Sequence, residues 1–81
     1  MRMLLVDDEE EVTGALLEIY DWSRLGIMAE ACNSGAEALK MLKQRRFDIM
    51  ISDIKMPDIT GLELSQKAKQ LYPDIKIILL S

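Results

Sequence analysis

Histidine is absent from this 81-residue chain, and cysteine occurs once, as Cys32. A zinc site, which draws on Cys and His, therefore has almost no ligands to use. One cysteine also excludes an internal disulfide and suits a reducing compartment. Apolar runs are short: Ile77 to Leu80 falls far below the ~20 residues that a membrane-crossing helix needs. The acidic Asp7 arrives too early for a secretory signal peptide. The chain is expected to be soluble, cytoplasmic and without a membrane partner. Positive charge is scarce, with 10 Lys and Arg against 14 Asp and Glu and a net charge of −4. That balance disfavours direct contact with nucleic acid, which needs basic clusters to neutralise phosphates. The one adjacent basic pair, Arg45-Arg46, stands where a helix ends and is expected to complement its dipole. No glycine-rich turn follows the first apolar run, which excludes a dinucleotide-binding fingerprint.

What is present is an alternation of apolar runs and helical periods. A chain of this length forms at most one small domain of marginal stability. Met3 to Val6 reads as a first strand buried on both faces. Asp8 ahead of Glu9-Glu10-Glu11 reads as an N-cap with an acidic first turn. Val12, Leu16, Ile19 and Tyr20 follow at helical spacing and are expected to face a sheet. Gly26 interrupts, and Ile27 to Cys32 reads as a second strand, where Cys32 serves as a small hydrophobe. Ser34 with Glu37 forms a capping box, opening a helix with Ala38, Leu39 and Leu42 on one stripe. Phe47 to Ser52 is a third strand, closed by Asp53. Pro57, Asp58 and Gly61 mark a loop, and Thr60 with Glu63 forms a second capping box. Leu64, Ala68 and Leu71 carry that helix to Tyr72-Pro73, which stops it. Ile75 to Leu80 is a fourth strand, and Ser81 follows.

The β-α-β-α-β-α-β order predicts an α/β fold with a parallel sheet. Right-handed crossovers favour a flavodoxin-like, doubly wound sheet of strand order 2-1-3-4. In such sheets ligands bind beyond the carboxyl ends of the strands, at the switch point between the first and third. Asp7 and Asp8 end the first strand there, and Asp53 ends the third. Each has a plainer reading: Asp8 as a helix cap, Asp7 as a solvated turn residue, Asp53 as a loop cap. Their shared placement at one sheet edge favours a joint role. Three carboxylates in one crevice repel one another, and a hard divalent cation such as magnesium relieves that repulsion. A carboxylate left free can attack phosphorus to give an aspartyl phosphate. Charge on the phosphoryl oxygens would be neutralised by the metal, and Ser81 would offer a hydroxyl from the other side.

The segments Leu5-Val6-Asp7-Asp8-Glu9, Ile51-Ser52-Asp53-Ile54-Lys55-Met56-Pro57, Gly61-Leu62-Glu63-Leu64 and Ile77-Ile78-Leu79-Leu80-Ser81 together resemble the receiver domains of bacterial two-component response regulators. The resemblance spans nearly the whole chain. It implies that Asp53 is the phosphoacceptor, supplied by a sensor histidine kinase. It further implies Mg2+ bound directly by Asp8 and Asp53, through water by Asp7, and by the backbone carbonyl of Lys55. Ser81 is similar to the hydroxyl switch residue of the family. The stretch Asp21-Trp22-Ser23-Arg24-Leu25-Gly26-Ile27 resembles receivers attached to AraC-type DNA-binding effectors, beside the plainer reading that Trp22 covers the edge of the core. On that likeness DNA is contacted only through an effector outside these residues.

A complete receiver continues with a helix, a fifth strand bearing a lysine, and a last helix. Residues 1–81 are therefore expected to form a receiver truncated after the fourth strand. Lys55 follows Asp53 too closely to replace the missing lysine. The apolar fourth strand would stand at an edge, which invites self-association or strand and domain swapping. Two rival functions remain to be weighed. One is an interaction or dimerisation module with a receiver fold and no phosphotransfer. The other is a haloacid-dehalogenase-type phosphatase, discounted because Lys55 occupies the place of its second aspartate and because Asp53 closes a third strand, not a first. The chain reads as a phosphoacceptor module, not a turnover enzyme.

Overall fold

The computed structural model describes residues 1–80. Ser81 lies outside the described residues. Strand β1 (Arg2–Val6) leads to helix α1 (Glu10–Ile19), a 3-10 turn (Trp22–Leu25) and β2 (Met28–Cys32); α2 (Gly35–Gln44), β3 (Ile49–Asp53), α3 (Gly61–Leu71) and β4 (Lys76–Leu80) follow. The sheet has the order β2-β1-β3-β4, as the alternation of elements predicts. All three pairings are parallel.

β1 is central, and its composition explains why. Met3, Leu4, Leu5 and Val6 are each no more than 2% exposed, so both faces of the strand are covered. One face belongs to the main core, where Leu4, Val6, Cys32 and Met50 pack against Ala38 and Leu42 of α2 and Leu64 and Ala68 of α3. Phe47 enters that core two residues ahead of β3, outside the strand that its apolar character suggested. Burial pushes the Cys32 thiol up to about 12, which keeps it protonated and inert.

The side-chain N-cap of each expected capping box forms. Ser34 Oγ accepts the Glu37 N–H at 3.1 Å, and Thr60 Oγ1 accepts the Glu63 N–H at 3.1 Å. Helix α3 ends at Leu71, and the Tyr72 hydroxyl turns back to donate to the Leu42 carbonyl at 2.7 Å. That bond ties the ends of α2 and α3 together.

Three local expectations are corrected. Asp8 does not cap α1: the N-cap is Glu9, and no side chain caps that end. The Asp7 carboxylate takes the local N–H instead, accepting from Glu9 at 2.9 Å, so the turn is closed by the residue before. Ile19 and Tyr20 are 65% and 55% exposed and do not face the sheet. Helix α1 turns Thr13 fully inward, with Val12, Leu16 and Leu17 half-buried. Tyr20 lies past the helix end in an extended conformation, its ring 5.1 Å from that of Trp22. The Trp22 indole N–H donates to the Leu16 carbonyl at 3.1 Å, so Trp22 covers the corner where α1 leaves the sheet. Arg45 does not simply complement a dipole, because its guanidinium grips Glu30 of β2 through Nε and Nη2 and lies 5.5 Å over the Phe47 ring.

β4 is an edge strand with alternating exposure. Ile78 and Leu80 are each 48% exposed, whereas Ile77 packs against the main core. The uncovered residues share their face with Leu5 and Ile51, through the register Leu5↔Ile51↔Ile78. Among the described residues, the main partner of helix α1 in the sheet is β2.

The hydrogen bond from Arg45, aided by attraction from Arg45 and Arg2 and opposed by partial burial, holds the Glu30 carboxyl below its usual range. A carboxyl lowered in the folded state contributes stability above its unfolded pKa and loses it as pH falls through the folded one. Arg45→Ala is therefore expected to lower the urea midpoint at pH 7, with the gap from wild type narrowing as the pH is brought below the carboxylate range. A gap that stays constant with pH would contradict this.

Candidate functional site

The site is built at the carboxyl ends of β1 and β3. These strands are neighbours, and the register sets Val6 beside Ser52. The next residues along, Asp7 and Asp53, therefore emerge at the same level. Asp7, Asp8 and Asp53 each offer a carboxylate oxygen, and these oxygens lie within 4.8 Å of one another. Asp7 and Asp53 are half-buried and Asp8 is exposed, so the cluster is open to solvent on one side. Among the described residues, no helix is long and apolar enough to cross a membrane.

Backbone and side-chain bonds hold each acidic loop. The Asp7 N–H donates to the Cys32 carbonyl at 3.3 Å. On the other side, Ile54 N–H reaches the Leu80 carbonyl at 3.1 Å and Gly61 N–H the Ile54 carbonyl at 2.8 Å. Asp53 Oδ1 accepts the Lys55 N–H at a long 3.4 Å, which places Lys55 beside the acidic group with its side chain exposed. Beneath the cluster, the fully buried Ser52 hydroxyl donates to the Asp53 carbonyl at 2.9 Å. Met56, 9% exposed, plugs the following loop into the main core, a larger role than shaping a turn. Glu9, Glu10 and Glu11 are exposed, with Glu10 and Glu11 in the first turn of α1.

Four supporting residues were not singled out as site residues by sequence reasoning. Asn33 follows the last residue of β2, and its amide donates to the Asp7 carbonyl at 2.9 Å and to Thr13 Oγ1 at 3.0 Å. Thr13, 3% exposed, passes its own proton to the Glu10 carbonyl at 3.1 Å. The Asp58 carboxylate accepts the Ala36 N–H at 2.9 Å and the Gly35 N–H at 3.2 Å, which holds it below its usual range. Gly61 lies against the backbone of Asp53: a Cβ there would stand 2.4 Å from the Asp53 carbonyl oxygen. The one sequence signal for any of these was position, since Asn33 directly follows a strand and Asp58 sits in the Pro57–Gly61 loop. A polar residue on an apolar helix face, as at Thr13, carried no signal until its partner was in view.

An α/β sheet with an acidic crevice at its switch point places this chain among the doubly wound domains, which bind ligands beyond the carboxyl ends of their strands. The family is specific: residues 3–81 match the response regulator receiver domain, and the chain belongs to that family. It is 38% identical over 79 residues to the response regulator GacA of Pseudomonas viridiflava, covering 96% of this chain and 36% of that protein. Among solved structures it is similar to a two component transcriptional regulator AraC from Clostridium phytofermentans, with TM-score 0.91 and 28% identity, covering 98% of this chain and 64% of that one. It is also similar to TrrA of Thermotoga maritima in complex with Mg(2+)-BeF, with TM-score 0.83 and 37% identity, covering 96% of this chain and 66% of that one. TrrA has further been solved in complex with the histidine kinase ThkA; that match has TM-score 0.84 and 38% identity and covers 99% of this chain and 67% of that one. The chain thus spans about a third of the GacA relative and about two thirds of these solved chains.

The contact between Gly61 and Asp53 yields a test. Gly61→Ala forces the β3–α3 loop away from the strand end and should cost roughly 1–3 kcal/mol in urea denaturation, the scale of an overpacked core. Gly14→Ala, where nothing lies within 4 Å of the added Cβ, should instead gain roughly 0.5–1 kcal/mol from helix propensity. Equal effects at both positions would refute the close approach.

Proposed function

We propose that this receiver accepts a phosphoryl group from a sensor histidine kinase onto Asp53 in a magnesium-dependent reaction, and so regulates an effector. The observation that carries the reading is the convergence of Asp7, Asp8 and Asp53 across two adjacent strands, with oxygens within 4.8 Å of one another. An all-oxygen donor set with an open side suits a hard divalent cation that keeps several waters. Asp8, Asp53 and the Lys55 backbone carbonyl would hold Mg2+ directly and Asp7 through water. When bound, the cation neutralises charge on the phosphoryl oxygens. An Asp53 oxygen attacks phosphorus, the phosphorus–nitrogen bond to the kinase histidine breaks, and an acyl phosphate forms on Asp53. Backbone bonds at Ile54 and Gly61 keep Asp53 at the strand end, and the Asp7 turn keeps its carboxylate turned toward the crevice. Ser81 is assigned the hydroxyl switch from its place after β4.

The kinase partner is supported by TrrA, which is solved with a histidine kinase, and the metal by its Mg(2+)-BeF complex. Regulation of transcription, through a DNA-binding effector outside these residues, is supported by the similarity to a two component transcriptional regulator AraC. The reading is of a cytoplasmic signalling domain that catalyses only its own phosphorylation and dephosphorylation. A second reading, an interaction or dimerisation module without phosphotransfer, draws on one observation. Among the described residues, Ile78 and Leu80 of β4 are each 48% exposed, apolar area that contact with a partner or a second copy would cover.

Treating the full-length protein with acetyl phosphate and Mg2+ separates the two. Intact-mass analysis is expected to show a single phosphoryl adduct, lost in Asp53→Asn and when Mg2+ is chelated. An adduct that persists in Asp53→Asn overturns the assignment, and a wild type that never forms one favours the interaction module.

A further inference from the structure

Both acidic loops are anchored on one four-residue stretch, through different residues of it. The Asn33–Ala36 turn runs from the end of β2 into the first turn of α2 and carries no group of the carboxylate cluster. From one side its Asn33 amide holds the Asp7 carbonyl at 2.9 Å and Thr13 Oγ1 at 3.0 Å, fixing both the end of β1 and the start of α1. From the other side its Gly35 and Ala36 N–H groups hold the Asp58 carboxylate at 3.2 and 2.9 Å, fixing the loop that leaves Asp53. Asp58 also accepts the N–H of Ile59 at 2.9 Å, which closes its own turn. The fit is tight, for a Cβ on Gly35 would fall 1.6 Å from Ile59 Cγ2. Loop and turn are therefore in direct contact, not merely near.

We propose that the Asn33–Ala36 turn is a bracket that sets the spacing of Asp7 and Asp8 against Asp53, with Asn33 and Asp58 as positioning residues for cation binding. The inference rests on the reading of the cluster as a magnesium-assisted phosphoacceptor site. Neither residue belongs to the cluster; each fixes the backbone of a loop that carries or follows one of its carboxylates. The physical need is clear from the charges. Three carboxylates gathered within 4.8 Å repel one another before a cation arrives. Loops free to move relax apart, and a cation must then spend binding energy to draw them together again. Loops bracketed to a common turn stay gathered, so the repulsion is met by the fold and the cation binds more tightly. Outer groups that orient ligands around a metal typically change its affinity 10- to 100-fold.

The test is Mg2+ affinity measured by isothermal titration calorimetry on the full-length protein, with circular dichroism to establish folding. Asn33→Ala and Asp58→Ala are each expected to bind Mg2+ about tenfold more weakly while remaining folded. Asp58→Asn keeps an acceptor oxygen for one of the two N–H groups and should fall between wild type and alanine. Arg45→Ala loosens the opposite end of α2 and should leave the affinity unchanged, which separates positioning from general loss of stability. If the alanine variants do not fold, Asp58→Asn decides: weaker binding supports the bracket and wild-type affinity overturns it. Wild-type affinity in folded Asn33→Ala and Asp58→Ala overturns the bracket alone. A wild type that binds no Mg2+ overturns the site reading, and the bracket with it.

Discussion

The structure turns on the pairing of β1 with β3. A chain that alternates strands and helices can order its strands in several ways, and most would leave Asp7 and Asp53 apart. With Val6 level with Ser52, two residues 46 positions apart in sequence emerge side by side. Carboxylates so placed oppose the fold that gathers them, since like charges at this range repel. The apolar core must supply the opposing force. Leu4, Val6 and Met50, all nearly inaccessible, lie directly behind the acidic ends of their strands. The same strands thus bury hydrocarbon along their length and present charge at their tips.

The surrounding loops show how that arrangement is kept. Each acidic loop makes bonds to its own strand end and to a neighbouring element, so no carboxylate depends on a single contact. Asp7 is tied to β2 through Cys32 and Asn33, and Asp53 is tied to β4 through the bond from Ile54 to Leu80. Close backbone approach at Gly61 and the buried Ser52 hydroxyl leave little room beneath the site. Burial is deepest on the side of the sheet covered by α2 and α3. On the other face, among the described residues, Ile78 and Leu80 are half in solvent and α1 packs chiefly against β2.

Much of the fold was legible in the sequence for a simple reason: the features were local. The Ser34 and Thr60 caps, the stop at Tyr72-Pro73 and the apolar run Met3–Val6 of β1 are written within a few residues, and the structure contains them. The errors were also informative. Ile19 and Tyr20 matched a helical period, but a period says which residues share a face and not how far the helix runs along its neighbour. Asp8 has the chemistry of an N-cap, yet the preceding Asp7 takes the Glu9 N–H and shifts the helix start to Glu10. Arg45 reads as a helix-end cation until Glu30 on another strand is seen to face it.

By itself the sequence determined the order of elements, the caps that start two helices, and the placing of Asp7, Asp8 and Asp53 at strand ends. These follow from hydrogen bonding and hydrophobic periodicity over short spans, which residue order encodes directly. Only the tertiary structure decided how closely the acidic ends meet, that Asn33, Thr13 and Asp58 support them, and how far Ile78 and Leu80 are exposed among the described residues. Those outcomes depend on which strands pair and which helix covers which face. Such long-range choices are made by the whole core at once, and no single stretch of residues records them.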